Sequence, residues 1–165
     1  MKTYFLRLGR AKILNRSRSN DIFKRYLLIH LYTMKINNLL YWGARLVAAV
    51  LMLQTLYFKF TGAEESVFIF TQVGMEPWGR IGVGVMELIA SVLLVVNVTA
   101  WLGGVLALGL MGGAIVMHLT ILGIEVQGDG GRLFYYALII AICSAVVLAF
   151  NKTKISEVIK RVLRK

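Results

Sequence analysis

A single carboxylate, Glu87, sits inside the apolar stretch Gly79–Val98, and that placement limits what the chain can fold into. A run of about 20 predominantly apolar residues is the length that crosses the hydrocarbon core of a bilayer. An ionised acid at that depth costs roughly 2.5 kcal/mol or more even on mild insertion scales, so it needs a partner within the protein. The polar side chains able to answer it are few: Arg45, Gln54, Lys59 and His118. Composition agrees with a membrane setting. Hydrophobic residues make up 58% of the chain and charged residues 16%, against about 25% charged in a soluble domain.

Four segments meet the length criterion, at about 39–60, 79–98, 100–123 and 133–150. The expected fold class is therefore all-α, an integral membrane four-helix bundle. Tyr41 and Trp42 open the first span and Tyr57 and Phe58 close it, as interfacial aromatic residues do. Trp101 opens the third span, and Phe134, Tyr135 and Tyr136 open the fourth. The link Asn97-Val98-Thr99-Ala100 is short enough to make the second and third spans a tight antiparallel hairpin.

The formal net charge of +11 is concentrated at the two ends. Residues 1–38 hold nine basic side chains against Asp21, and residues 152–165 hold six against Glu157. A pI near 10 raises the question of nucleic acid, but basic flanks around apolar spans are read as cytoplasmic anchors, so no nucleic-acid partner is expected. The 61–78 connection carries Glu64, Glu65 and Glu76 and no Lys or Arg, while 124–132 carries Glu125 and Asp129 against Arg132. Both termini and the 97–100 turn are thus expected to be cytoplasmic.

Residues 1–25 are polar and basic, and the apolar patch Tyr26–Tyr32 is too short to span. It also lacks the cleavage site of a signal peptide. The sequence from Met34 onward reads as a natural beginning, so residues 1–33 are expected to be a dispensable extension. An amphipathic helix on an anionic leaflet is the alternative. His30 has no evident role. Cys143 stands alone in an apolar run and cannot form an internal disulfide. The Gly128-Asp129-Gly130-Gly131 stretch is a turn, and no metal-ligand cluster is present.

Helices in lipid associate through small residues. Gly109 and Gly113 in the third span, Ala44 and Ala48 in the first, and Ala137, Ala141, Ala145 and Ala149 in the fourth form such stripes. They serve either as seams of the bundle or as a face for a second copy or another membrane or redox subunit, with Gly109, Gly113, Ala141 and Ala145 the candidates for that contact.

Depth along each helix, at about 1.5 Å per residue, places Arg45 and Gln54 within about 7 Å of the level of Glu87, on opposite sides. Arg45 either snorkels to the headgroups or turns inward to pair with Glu87. Lys59 and His118 fall level with each other near the outer face. They are either an interfacial anchor and a locally bonded histidine, or the mouth of a cavity leading to Gln54 and Glu87.

The stretch KFTGAEESVFIFTQVGMEPWGRIGVGVMELIASVLLVV at 59–96, preceded by WGARLVAAVLML at 42–53, resembles the DoxX family of small four-span bacterial and archaeal membrane proteins. The features that carry it are Arg45, then Lys59 and Phe60, Phe68 and Phe70, Gly74 and Pro77, and Glu87. Gly62 follows Lys59 here, where the commoner pattern has the glycine first. The resemblance covers roughly residues 36–150 and implies a domain at about 34–155 followed by a basic tail at 156–165. It implies a multi-pass protein of a bacterial inner membrane, not an autonomous enzyme. The implied role is an accessory or quinone-interacting subunit of a membrane redox or oxidative-stress system built around an Arg45–Glu87 pair, with quinone the one cofactor in view. The alternative is a scaffold or small-molecule permease whose buried Arg–Glu pair only fixes helix register.

Overall fold

The computed structural model describes the backbone from Lys2 to Arg164, and the side chains of Lys24, Arg25 and residues 27–164. It contains six α-helices: α1 (Lys2–Thr61), α2 (Glu64–Gln72), α3 (Trp78–Val95), α4 (Ala100–Met117), α5 (Arg132–Phe150) and α6 (Lys152–Leu163). A wider π-helical turn, His118–Leu122, continues α4. Among the described residues, four stretches are long and apolar enough to cross a membrane: Leu27–Thr61, Trp78–Val95, Ala100–Leu122 and Arg132–Phe150. The all-α, four-span reading holds.

The chain divides into two units, Met1–Leu40 and Tyr41–Lys165. In the first, the helix passes Met34 without a break, and the described side chains from Leu27 to Leu40 are exposed. The expectation for residues 1–33 falls largely on side chains outside the described residues. Two segments outside the four expected spans are helical. The 61–78 connection contains α2, which turns Ser66 and Phe70 inward, and the basic tail forms α6.

The second unit packs α1 from Tyr41 onward with α3, α4 and α5 around a core rich in small residues: Ala44, Ala48, Ala90, Ala100, Ala107 and Ala137, with Met52, Leu94, Ile140 and Val147. Apolar side chains such as Leu46, Val50, Val92, Val105 and Ile142 point outward, as a bundle whose solvent is lipid requires. The α3–α4 hairpin closes on Gly103, where a Cβ would lie 2.6 Å from the backbone nitrogen of Leu94. Of the stripes anticipated at 109/113 and 141/145, only Ala141 packs against the core. Gly109 and Gly113 have nothing within 4 Å of a built Cβ, Ala145 is exposed, and α5 instead buries Ala137, Ile140, Ser144 and Val147.

Two arginines tie α1 and α3 together at opposite ends. Arg45 is fully buried. It donates from Nε to Leu94 O at 2.6 Å, from Nη2 to Val95 O at 2.6 Å, and from Nη1 to Asn97 Oδ1. Its guanidinium lies 3.9 Å from the Trp42 ring centroid and 5.0 Å from that of Tyr41. The last carbonyls of α3 have no partner within the helix, and they carry the negative end of its dipole. Arg45 satisfies both needs. Arg80, near the start of α3, donates from Nη1 to Lys59 O at the end of α1. Its Nη2 sits 2.8 Å from Glu76 Oε1.

The expected Arg45–Glu87 pair is therefore absent, and Arg45 does not snorkel either. The reason is directional. Side chains on a helix lean toward its N-terminus, so Arg45 leans away from Glu87 and toward the antiparallel end of α3. Replacing Arg45 by Ala should lower stability by about 3 kcal/mol, read as a drop in melting temperature in detergent. Arg45→Lys should recover only part of that loss, because one ammonium cannot span three acceptors in a fork. A wild-type melting temperature in Arg45→Ala would refute the capping role.

Candidate functional site

Glu87 is buried, at 3% exposure, on the face of α3 that meets α1. Lys59 Nζ lies 2.9 Å from its Oε2, and Thr55 Oγ1 donates to the same oxygen at 3.0 Å. Thr55 and Lys59 are one turn apart on α1, so both reach the same oxygen, and the single Thr55 proton is shared between it and Met52 O at 2.8 Å. The leaning rule that separates Arg45 from Glu87 brings Lys59 to it. The lysine leans back along α1 and the glutamate leans up the antiparallel α3, which closes the gap in Cα level. Ser91, one turn beyond, donates to the Glu87 carbonyl at 2.8 Å and keeps its own hydroxyl satisfied.

Both donors to Glu87 converge on Oε2. Among the described residues Oε1 has no donor, and Glu87 lines a cavity of about 400 Å³. Gln54, Lys59 and His118 line the same cavity. Four of the five polar residues anticipated from the sequence are thus gathered in one place, and Arg45 stands apart at the end of α3. The walls are largely apolar, with Phe58, Phe70, Met75, Leu110, Met111 and Ile140 prominent. Gly109 and Gly113 form part of the α4 side. The space exists there because neither carries a side chain.

His118 opens the π-helical turn and is 5% exposed. Its Nδ1 lies 2.8 Å from Gly123 O. A carbonyl only accepts, so Nδ1 carries a proton and donates to it. Phe134 meets the imidazole edge-on at 5.7 Å. The π turn widens the helix where it borders the cavity, a deformation often found at functional sites.

The 124–131 loop sets where α5 begins, and with it the cavity residues Arg132, Leu133 and Tyr136. Asp129 organises this loop. Its Oδ1 accepts from the amides of Val126 at 2.9 Å and Gly131 at 2.8 Å, and its Oδ2 accepts from Leu133 at 3.0 Å. Gly128, Gly130 and Gly131 all have positive φ, which explains the glycine cluster. Burial on its own would raise the Asp129 pKa, but the three amide donors outweigh it, with His118 adding to the effect, and hold the carboxyl below its usual range.

Sequence reasoning missed Arg80, which lies inside the stretch read as apolar, and the roles of Thr55 and Asp129. Arg80 was legible as a charge one residue past Gly79. Thr55 carried no signal beyond being one turn before Lys59.

Residues 41–120 match the DoxX family model. They form a DoxX domain. The searches of curated proteins and of solved structures find no match. The DoxX domain contains Arg45, Gln54, Lys59, Glu87 and His118, while the cavity residues of α5 lie beyond the matched segment.

Asp129 gives the protein a testable acid limit. A carboxylate whose folded pKa is depressed contributes stability above its unfolded pKa of about 3.9, and that contribution disappears as pH falls through the lower folded value. Wild type should lose melting temperature below about pH 4. Asp129→Asn should be less stable at neutral pH and flatter through the acid range. Parallel acid profiles for the two proteins would remove Asp129 as the organiser of the loop.

Proposed function

We propose that this multi-pass DoxX protein holds a largely apolar ligand with a polar ring, of the quinone type, in the cavity beside Lys59 and Glu87. The observation that carries the reading is the asymmetry of Glu87. One carboxylate oxygen takes both protein donors, and the other is left as a hydrogen-bond acceptor at an apolar cavity. Glu87 Oε1 keeps an open acceptor position beside the cavity, and a ligand hydroxyl would meet it there. The volume, about 400 Å³, falls within the usual range for small-molecule sites.

A quinone supplies two-electron chemistry coupled to proton uptake when bound. The chain's own residues do the rest. Glu87 Oε1 would accept from a hydroxyl of the reduced, quinol form of the ring and would hold the proton that form gives up on oxidation. Lys59 has three N–H donors, and those not spent on Glu87 can meet a ring oxygen. Gln54 and the Nε2 of His118 offer further polar contacts, and the apolar walls exclude water. Since the cavity would bind and orient without a second redox centre, the role we favour is an accessory or quinone-interacting subunit of a membrane redox or oxidative-stress system. The distribution of Lys and Arg supports a bacterial inner-membrane orientation with both termini cytoplasmic. The scaffold or small-molecule permease alternative would rest on the arginine caps in place of an Arg45–Glu87 pair.

The test uses full-length protein in nanodiscs with a short-tailed quinone analogue, read by ligand-induced thermal shift. Glu87→Gln alone would strand the Lys59 charge, so the informative variant is Lys59→Met/Glu87→Gln. It should fold and bind at least about tenfold more weakly, a loss of about 1.4 kcal/mol. Gly113→Phe, which has room for its first carbon, should fill the cavity and abolish the shift while keeping the unliganded melting temperature near that of wild type. Undiminished binding in both variants would sink the reading.

A further inference from the structure

Helix α6 begins where α5 ends, with one residue between them. That residue, Asn151, is buried and donates from Nδ2 to Val147 O at 2.8 Å and to Tyr41 Oη at 3.0 Å. Tyr41 and Phe150 meet at 5.5 Å between ring centroids. Aromatic residues of this kind mark the membrane–water boundary. The start of α6 is therefore fixed at the depth where the last span leaves the hydrocarbon.

The helix has no buried residue. Ile155, Val158, Ile159, Val162 and Leu163 recur at three- and four-residue intervals and cover an arc of about 140° at 100° per residue. Exposure along that stripe climbs from 37% at Val158 to 80% at Leu163. Lys154, Glu157, Lys160, Arg161 and Arg164 occupy the opposite face. Lys152 is set near the edge of the apolar arc beside the junction. An apolar stripe backed by a cationic face, low in overall hydrophobicity, is the pattern of a helix lying in the plane of a membrane interface. The charges select for anionic headgroups.

We infer that α6 is an interfacial anchor that lies along an anionic leaflet, with Ile155, Val158, Ile159, Val162 and Leu163 sunk to the acyl boundary and Lys154, Lys160, Arg161 and Arg164 among phosphate groups. The occupant of the apolar stripe is lipid, because the stripe starts at the bilayer surface and its opposite face has the complementary charge.

The experiment uses the full chain with Cys143→Ser and single spin labels at Val162→Cys or Glu157→Cys. Each is reconstituted in vesicles of phosphatidylcholine alone or with phosphatidylglycerol. With phosphatidylglycerol, the label at 162 should meet lipid-dissolved oxygen and be shielded from a water-soluble nickel complex, while the label at 157 shows the reverse. Shielding at 162 should fall several-fold in pure phosphatidylcholine and in Lys154→Gln/Lys160→Gln/Arg161→Gln. Unlabelled wild type should show slower amide exchange over 155–163 when phosphatidylglycerol is present. Equal water access at 157 and 162 would overturn the inference. So would shielding indifferent to headgroup charge, or shielding lost on dilution to one protein per vesicle, which would mean that a second copy covers the stripe.

Discussion

Reciprocal arginine capping is what holds α1 and α3 in register. Each helix has an arginine near the start of its packed segment, and each arginine reaches the other helix's terminal carbonyls, Arg45 at Leu94 and Val95, Arg80 at Lys59. The arrangement works only for antiparallel helices of matched length, because the side chains lean toward their own N-termini. Those carbonyls would otherwise end at the edge of a medium that cannot hydrogen-bond them. With both ends fixed, Thr55, Lys59 and Glu87 have no freedom to slip past one another, and their convergence on one oxygen follows.

The core packing reflects a division between glycines of the same helix. Gly103 permits the backbones of α3 and α4 to approach, so its missing side chain is filled by a neighbour. Gly109 and Gly113, two to three turns later, have no neighbour there and leave space. Small residues in lipid-facing bundles are usually read as contact. Here the spacing of 109 and 113 fits a seam equally well, and only the placement of α2 and α5 around them makes it a cavity wall.

Much of the architecture was legible because the bilayer demands it. Span number, the hairpin at 97–100 and the turn at 128–131 follow from length, charge and glycine content. The polar residues that share the cavity, Gln54, Lys59, Glu87 and His118, were identifiable as ionisable or amide groups at depth. Their pairing was not, because depth counted at Cα ignores the lean of long side chains, and that lean decides which cation Glu87 meets. Arg80 was hidden by averaging over an apolar window, and α2 and α6 because they are too short or too charged to register as spans.

Arg45 has a consequence beyond capping. Its partners are two backbone carbonyls, a side-chain amide and two aromatic rings, all neutral. The Lys59–Glu87 and Arg80–Glu76 pairs each sum to zero. Arg45 is therefore a buried positive charge with no carboxylate partner among the described residues, locked near one end of the packed helices. Any part of a transmembrane potential that falls across that position acts on it, at up to about 2.3 kcal/mol per charge per 100 mV. An energised membrane would thus favour the folded bundle with its Arg45 end on the negative side.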